Sequence, residues 1–350
     1  MPEIWLPYGD VEIVVNIKAE HLSEVVGVAD KALPEEDVLS QLGLVERPGL
    51  VVTDGSPAAR RVLERLAPQW GPVPIRTVGG GEEPAAGRVE FGPVDGQMFM
   101  VDSALVDGRL LVVSEAKFDP VYGFYGSAPL VVEALGLRRE ALKRWKGSVS
   151  PGADTDPLWF AMRAASQLRD MKALEAVSAP RGVAHLSYGD AASAKSASAD
   201  YLNSKRRMRV EPSRFVIIGC GGEDDTLSKA LAVAANNLRA VAADAEVVVV
   251  AECGRGLGSA YLRGLADGTP AQKGSGGADE AALRELRRAG SLRLVSVLPK
   301  SIVEKRFGMS AHSSLGEALE AVERKHGWRV KATVLPEASM MMSDGQTINT

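Results

Sequence analysis

The stretch DGRLLVVSEAKFDPVYGFYGSAPL, residues 107–130, decides the fold. Residues 109–113 form a short apolar run after a turn signal, a pattern that predicts a buried strand. The loop that follows, residues 114–126, holds two acids, one lysine, two tyrosines and two glycines. Ligands of α/β proteins bind at the ends of buried strands, where the loops are free to vary. This loop is therefore the first place to look for a binding or catalytic site.

Strands and helices alternate on both sides of this stretch. Upstream, a predicted strand at 49–53 passes through Asp54-Gly55-Ser56-Pro57 into a helix at 58–66, which is half of a βαβ unit. Downstream, Glu211-Pro212-Ser213 reads as a domain boundary. Behind it are predicted strands at 215–219, 246–251 and 292–297 and helices at 226–242, 259–265 and 280–289. This alternation predicts an α/β fold with mostly parallel sheets.

The remaining elements are predicted from local patterns. Strands are expected at 4–6, 11–17, 74–78, 183–187 and 330–335, and helices at 19–26, 35–42, 131–135, 138–146, 156–177 and 191–208. A further helix is predicted to begin at a capping box formed by Ser314 and Glu317.

Composition limits the functions that the chain could have. The 350 residues are 45% hydrophobic and 25% charged, which suits a globular protein of two domains. With 41 basic against 45 acidic residues, the net charge of −4 argues against nucleic acid or an anionic membrane as a partner. No signal peptide is recognisable at the N-terminus, and only two cysteines are present, so we expect a cytoplasmic protein.

Those two cysteines, Cys220 and Cys253, each follow a predicted strand of the second half. If the strands are neighbours, the two thiols could approach disulfide distance. Two buried free thiols are the other interpretation, and the one that the sequence favours.

Two glycine clusters invite a nucleotide-binding interpretation. The candidate cofactor-binding residues are Gly221 and Gly222 after one strand, and Gly254, Gly256 and Gly258 after the next. Backbone amides at a helix N-terminus can hold an anion. Neither cluster matches G-x-G-x-x-G or the P-loop pattern, and glycines needed for tight turns would look the same.

Several short motifs resemble the lactate racemase family in order and spacing. They are LPYG at 6–9, VVTD at 51–54, LVVSE at 111–115 with GF at 123–124, GG at 221–222, VVA at 249–251 with GLG at 256–258, and KATVLP at 331–336. The resemblance implies a racemase or epimerase of 2-hydroxy acids that depends on a nickel-pincer nucleotide. It also implies two α/β domains with a cleft between them, the C-terminal strand returning to the first domain.

We accordingly predict an N-terminal lactate-racemase-like domain at 1–210 plus 328–342, a Rossmann-like domain at 211–327 and a tail at 343–350. In the family, a lysine in a run like GFSGGRKS carries the cofactor. The matching run here is GFYGSAPL at 123–130, and Pro129 stands at the position of the lysine. Proline has no amine, so the resemblance implies that this attachment is lost, and no metal site is predicted.

The histidines of the family also have no counterpart in this chain. Their positions fall near Val121, on Glu82 and around Trp145-Lys146. The four histidines that are present lie elsewhere, and only His185, on a predicted strand, is placed where a site could use it. His326 is expected to be a cation at a helix end.

Asp54, Glu82, Lys117 and Tyr122 are the candidate catalytic residues, with Tyr125 and Lys146 as further possibilities in the same region. Carboxylates and lysines can transfer protons if burial shifts their pKa values toward neutrality.

Three functions stay open. The first is binding of a small anionic metabolite, a 2-hydroxy acid or a nucleotide-like molecule, without nickel-pincer chemistry. The second is racemase or epimerase activity on a 2-hydroxy acid by a rearranged site. The third is a non-catalytic subunit or a nucleotide-binding protein, and a homo-oligomer is left open.

Overall fold

The structure is a computed structural model that describes residues 3–78, 87–269, 277–327 and 330–344. Its strands are β1 (Ile4–Tyr8), β2 (Val11–Val15), β3 (Leu22–Val25), β4 (Leu50–Thr53), β5 (Ile75–Thr77), β6 (Arg88–Val94), β7 (Gln97–Asp102), β8 (Leu110–Glu115), β9 (Lys117–Asp119), β10 (Gly123–Tyr125), β11 (Met171–Ala179), β12 (Gly182–Gly189), β13 (Arg207–Arg209), β14 (Ser213–Gly219), β15 (Val241–Val250), β16 (Gly290–Val295), β17 (Ser310–His312), β18 (Ala332–Leu335) and β19 (Met342–Asp344). Its helices are α1 (Glu35–Leu42), α2 (Pro57–Trp70), α3 (Ser127–Ala134), α4 (Arg138–Leu142), α5 (Asp156–Ser166), α6 (Ala191–Lys205), α7 (Leu227–Asn236), α8 (Ala260–Asp267), α9 (Gly277–Ala289), α10 (Lys300–Phe307) and α11 (Leu315–His326).

The chain folds as two compact units. Unit 1 comprises Met1–Val28, Gly147–Val149 and Arg206–Thr350, and unit 2 comprises Ala29–Lys146 and Ser150–Lys205. The predicted α/β class is confirmed. In the described residues, no helix is both long and apolar enough to cross a membrane.

Unit 1 is built on a parallel six-stranded sheet in the order β17-β16-β15-β14-β18-β3. Both faces of this sheet are covered, so its strands are apolar on both sides. Along β15, Val247 and Val249 pack into a core with α7 and α9. Val248 and Val250 point to the opposite face, where the β1–β2 hairpin and α11 lie.

Unit 2 is built on a five-stranded sheet in the order β12-β11-β8-β4-β5. All its pairs are parallel except β11–β12. Helices α1 and α2 cover one face, where Leu174 and Ala176 of β11 join the core. Side chains alternate along a strand, so Glu175 points to the other face, on the side of α3 and α6.

Two predicted helices are wrong because tertiary pairing overrides local propensity. The helix predicted at 156–177 ends at Ser166, and residues 171–179 form β11 between β8 and β12. The helix predicted at 19–26 is a short 3-10 turn followed by β3, which pairs with β18. In both segments, the helix-forming residues lie in a strand that completes a sheet.

Other predictions of secondary structure are confirmed. The helix at 35–42 is confirmed as α1, and the hairpin of the N-terminus is confirmed as β1–β2. At α11, the Ser314 Oγ accepts a hydrogen bond from the Glu317 N–H at 3.2 Å, as a capping box requires. The Glu317 carboxylate bonds the Ser313 N–H at 2.9 Å, one residue earlier than in the ideal box.

The segments 3–28 and 330–344 belong to unit 1, whereas the predicted division places residues 1–210 and the last strand in the first domain. The last predicted strand, β18, lies between β14 and β3. Ile4 and Leu6 of β1 are buried against Phe215 and Ile217 of β14. This apolar packing draws the N-terminal segment to the sheet of the second half.

Candidate functional site

Asp54, the first candidate residue, follows β4 in the turn to α2. Its Oδ1 accepts a hydrogen bond from the Ser56 N–H at 2.9 Å, and its Oδ2 accepts one from the Glu115 N–H at 2.8 Å. The carboxylate therefore ties the β4–α2 turn to the end of β8. These two hydrogen bonds explain why an acid stands at this turn, and no ligand is needed to explain it.

Lys117 is the first residue of β9, and Tyr122 lies in the turn between β9 and β10. The Asp119 Oδ1 fixes that turn by accepting hydrogen bonds from the Val121 N–H at 2.8 Å and the Tyr122 N–H at 2.7 Å. The Lys117 ammonium lies 5.8 Å from the centre of the Tyr125 ring. Tyr122 is buried, and its hydroxyl has no hydrogen-bond partner among the described residues. Its pKa is raised, first by burial and then by nearby carboxylates.

Two acids that are not among the predicted site residues, Asp119 and Glu133, complete this group. We call Lys117, Asp119, Tyr122, Tyr125 and Glu133 the acid–tyrosine cluster. The Tyr125 hydroxyl donates to the Glu133 Oε2 at 3.3 Å. Burial raises the pKa of Glu133 despite a nearby cation, and burial also raises the pKa of Asp119. A carboxyl with a raised pKa beside a tyrosine hydroxyl can hold or transfer a proton.

A small pocket with about 10 Å³ of accessible space adjoins the cluster on the α3 and α6 side of the unit 2 sheet. This is room for about one water molecule, so a larger ligand would have to displace side chains of the pocket wall. We call it the Lys195 pocket; it is lined by Ala116, Phe124, Tyr125, Gly126, Ala128, Pro129, Leu158, Glu175, Lys195, Ser198, Ala199 and Leu202. The walls are mostly apolar, and the polar side chains come from β10, β11 and α6.

Glu175 is the buried acid of the pocket, with 2% of its surface exposed. Its Oε1 accepts hydrogen bonds from the Ser127 N–H at 2.9 Å and the Ser127 hydroxyl at 2.6 Å. The carboxylate thus also caps the first turn of α3. Burial raises its pKa, and the bonds from Ser127 oppose that shift.

Lys195 supplies the cation. Its Nζ lies 2.7 Å from the Asp154 Oδ1 and 5.3 Å from the centre of the Phe124 ring. Together with Ser198, Ala199 and Leu202 it follows the spacing i, i+3, i+4, i+7, so one stripe of α6 lines the pocket. That helical spacing is the sequence feature from which the α6 side of the pocket could have been predicted. Nothing in the sequence alone brings β11 and Glu175 to the same place.

Pro129 is buried near the start of α3 and lines the same pocket. The resemblance puts the cofactor lysine at this position, and proline offers no amine for the linkage. Of the corresponding histidine positions, Val121 is buried and Lys146 forms an ion pair with Asp156 at 2.9 Å; Glu82 lies outside the described residues. No group of three or more His, Cys, Asp or Glu side chains in the described ranges could hold a metal ion. At the position that the resemblance gives to the cofactor lysine, Pro129 does not fit a covalent link to the nickel-pincer nucleotide.

The four histidines have contacts in their own units. The His185 ring stacks on Tyr201 with ring centres 4.6 Å apart, and burial lowers its pKa. His326 is the last residue of α11, as predicted, and its Nε2 lies 2.9 Å from the Glu246 Oε1.

The predicted cofactor-binding glycines lie in unit 1, where close packing accounts for several of them. A Cβ on Gly221 would lie 2.3 Å from the Pro7 Cβ in the β1–β2 hairpin. Gly222, Gly256 and Gly258 have positive φ angles of 80°, 84° and 83°, which favour glycine. The Gly256 N–H donates to the Cys253 carbonyl at 2.8 Å, so this amide already has a partner within the protein.

The carboxylates beside the second glycine turn also disfavour an anion there. A Cβ on Gly254 would lie 3.2 Å from the Glu252 carboxylate, and the Gly9 N–H donates to the Asp224 Oδ2 at 2.6 Å. Cys220 and Cys253 are both free and buried, which confirms the favoured interpretation of the two thiols. Burial, aided by nearby acids, raises the pKa of Cys253 to about 12.

Comparison with known proteins identifies the fold. No protein-family model matches the chain, and no curated protein matches it by sequence. Among solved structures, it is similar to the lactate racemase apoprotein from Thermoanaerobacterium thermosaccharolyticum, with a TM-score of 0.76 at 13% identity over 98% of this chain and 100% of that one. A protein from Thermotoga maritima gives a TM-score of 0.62 at 11% identity, over 91% of this chain and 100% of that one. The chain therefore has a lactate racemase-like fold, as the sequence motifs predicted.

Proposed function

We propose that this chain is a divergent lactate-racemase-like protein that binds a small carboxylate metabolite in the Lys195 pocket and has lost nickel-pincer chemistry. The observation that carries the proposal is the Lys195 ammonium in the wall of a pocket that Pro129, which has no amine, also lines. A half-buried ammonium among apolar walls is a suitable partner for a ligand carboxylate.

The environment of Lys195 supports this role. Its ammonium reaches the pocket from α6, and its partner Asp154 is exposed, with 41% of its side chain in contact with solvent. An ion pair with an exposed acid is weak, so a ligand carboxylate can compete with Asp154 for the ammonium. The aromatic rings of Phe124 and Tyr125 would pack against the carbon skeleton of the ligand.

Racemase or epimerase activity by a rearranged site is the second candidate function. It is favoured by Tyr125, which lines the pocket and donates a hydrogen bond to Glu133. A ligand in the pocket would therefore contact a tyrosine whose hydroxyl bonds a carboxyl with a pKa raised by burial. Conversion of one enantiomer of a bound acid to the other, followed by chiral chromatography, distinguishes this function from binding alone.

Isothermal titration calorimetry tests the proposed binding with four small acids: propionate, lactate, pyruvate and alanine. We expect at least one of them to bind with 1:1 stoichiometry. Lys195→Met should weaken that binding about tenfold or more, since it removes a charged hydrogen-bond donor. The control is Lys172→Met, which removes an exposed lysine of β11 and should leave the affinity unchanged. Absence of binding by all four acids would overturn the proposal.

A further inference from the structure

His312, the last residue of β17, lies between two charged groups in unit 1. Its side chain is only 8% exposed. On one side, its Nε2 lies 3.4 Å from the Nη1 of Arg293 on the neighbouring strand β16. On the other side, its Nδ1 lies 3.7 Å from the Oε1 of Glu317 in the first turn of α11. The ring thus stands between a cation and a carboxylate.

The contact with Arg293 determines the protonation state of the ring. A guanidinium has hydrogen-bond donors and no acceptor, so the His312 Nε2 has to accept the bond from Arg293. An imidazole nitrogen accepts a hydrogen bond when it carries no proton. His312 is therefore neutral in this arrangement, with its proton on Nδ1. That N–H has no hydrogen-bond partner among the described residues.

Arg293 is held in place by its own partner. Its Nε lies 2.9 Å from the Oε2 of Glu246, a buried acid of β15. The other oxygen of Glu246 pairs with Lys325 and His326 at the end of α11. Breaking a buried ion pair by removing one partner is strongly destabilising. Arg293 therefore keeps its position, and a proton added to His312 would place a second positive charge directly against it.

Burial has the largest effect on the pKa of His312 and lowers it below the ordinary value near 6.5. The charges around the ring come from β16, α10 and α11 and oppose one another. Glu317 and Glu304 favour the protonated ring, whereas Arg293 and Lys300 disfavour it. The neutral ring is therefore the form that suits this environment at neutral pH.

We propose that His312 is an acid-sensitive switch in unit 1, bonded as a neutral ring to Arg293 at neutral pH and paired as a cation with Glu317 at lower pH. The Glu317 carboxylate is oriented for this pairing. Its Oε2 accepts hydrogen bonds from the Ser313 N–H at 2.9 Å and the Ser313 hydroxyl at 3.0 Å, while its Oε1 is the oxygen nearest the ring. The bonds from Ser313 also lower the pKa of Glu317, so it keeps its charge in mild acid.

The consequence of the switch is a weaker edge of the unit 1 sheet. In the described residues, β17 is a three-residue edge strand that pairs with β16 alone. Protonation of His312 removes its bond to Arg293 and sets two like charges against each other. Because folding lowers the pKa of His312, its contribution to stability is complete above the ordinary value near 6.5 and is lost as the pH falls towards the lowered pKa. This device concerns unit 1 and is independent of the ligand of the Lys195 pocket.

Hydrogen exchange of the wild-type protein tests the switch. Protection factors of peptides that cover β17 are measured by mass spectrometry at pH 7.5 and 5.0, after correction for the intrinsic effect of pH on exchange. We expect them to fall about tenfold or more at pH 5.0, because each pH unit below the ordinary pKa of histidine contributes up to a factor of about ten. Strand β4 of unit 2 should keep its protection. Constant protection of β17, or an equal fall in β4 and β17, would overturn the proposal.

Substitution of His312 assigns the effect to this residue. His312→Gln removes the titrating group and keeps a side-chain oxygen that can accept the bond from Arg293. Protection of β17 should then be equal at the two pH values. The matched control is His185→Gln, which removes a strand histidine of unit 2 whose pKa is also lowered by burial and should leave the acid response of β17 intact. A His312→Gln variant that still loses protection tenfold would overturn the assignment.

NMR titration of the wild-type imidazole gives a result even if His312→Gln does not fold. Long-range proton–nitrogen correlation spectra identify which ring nitrogen carries the proton and follow its titration. We expect the proton of His312 on Nδ1 at pH 7.5 and a pKa below 6.5. A proton on Nε2 at pH 7.5, or a pKa at or above 6.5, would overturn the proposal.

Discussion

Gly126 shows how the absence of one side chain positions a buried acid. Its backbone leaves room for the Glu175 carboxylate, which then caps α3 through Ser127 and faces the pocket. The same carboxylate thus caps a helix and forms part of the pocket wall. A substitution at Gly126 is therefore expected to affect both folding and ligand affinity.

Gly126→Ala should lower the free energy of unfolding by about 2 kcal/mol, because its Cβ would overpack the site and displace the Glu175 carboxylate. Chemical denaturation followed by circular dichroism measures this loss. In the control Gly87→Ala, the added Cβ meets no atom within 4 Å, so its effect should stay within about 0.5 kcal/mol. Equal stability of both variants and the wild type would contradict the close approach of Glu175.

At this scale, the sequence predicted some residues of the site better than others. Pro129 could be singled out because a motif of known spacing surrounds it, and this position does line the pocket. Asp54 could be found from its place after a strand, but its carboxylate bonds backbone amides. Glu175 was missed because its segment reads as a helix, and its approach to Lys195 depends on how β11 packs against α6.

At the scale of elements, a buried ion network joins β15, β16 and α11 in unit 1. The Glu246 side chain is only 2% exposed, and its Oε2 lies 2.9 Å from the Arg293 Nε. Its Oε1 lies 2.6 Å from the Lys325 Nζ and 2.9 Å from the His326 Nε2. Burial favours the protonated acid, but the hydrogen bonds and charges of these partners outweigh it and lower the pKa of Glu246. The network anchors the end of α11 to the sheet.

Glu246→Gln should destabilise the protein by about 3 kcal/mol at pH 7, since it leaves the nearly buried Arg293 without its counterion. The pKa of Glu246 is lowered by folding, so its stabilising contribution is present above the ordinary pKa near 4.5 and is lost as the pH falls through the lowered value. Denaturant titrations at several pH values should therefore show the deficit of the variant shrinking in acid. The control Glu320→Gln, on the exposed face of α11, should change stability by less than about 0.5 kcal/mol. A deficit that stays constant down to pH 3 would contradict the lowered pKa.

The elements themselves were predictable where the local signal and the tertiary structure agree. The hairpin of the N-terminus, α1 and the strand–helix alternation of unit 1 follow from turn residues, caps and apolar periodicity. The helices predicted over 22–25 and 171–179 were wrong because these segments pair as strands in a sheet in spite of their helix-forming residues. The β6–β7 hairpin was not predicted at all.

At the scale of the whole molecule, each unit has its own apolar core. Leu66, Val113 and Leu174 belong to the core of unit 2, while Ile218 and Val249 belong to one core of unit 1. The strand–helix alternation predicts two α/β domains divided near residue 211, whereas apolar side chains of β1 pack against β14 and place this N-terminal segment in unit 1.

We expect two transitions in differential scanning calorimetry, one for each unit. A saturating concentration of an acid that binds the Lys195 pocket should raise only the transition of unit 2, because a ligand stabilises the state that binds it. Glu246→Gln should lower only the transition of unit 1. A single transition that shifts with both treatments would contradict two separately unfolding units.

The overall fold is similar to that of a lactate racemase, but Pro129 does not suit the cofactor attachment that the resemblance implies. The chain keeps a lactate racemase-like fold at 13% identity, and a fold does not by itself fix the chemistry of its sites. Our central claim is that Pro129 stands where the resemblance puts the attachment of the cofactor, and that the pocket now serves a small carboxylate ligand.

Native mass spectrometry with nickel analysis tests this claim most directly, on protein purified from a host that makes the pincer nucleotide. We predict the mass of the unmodified chain and nickel far below one equivalent. A covalent nucleotide adduct, or nickel near one per chain, would contradict the claim and would mean that a residue other than Pro129 holds the cofactor.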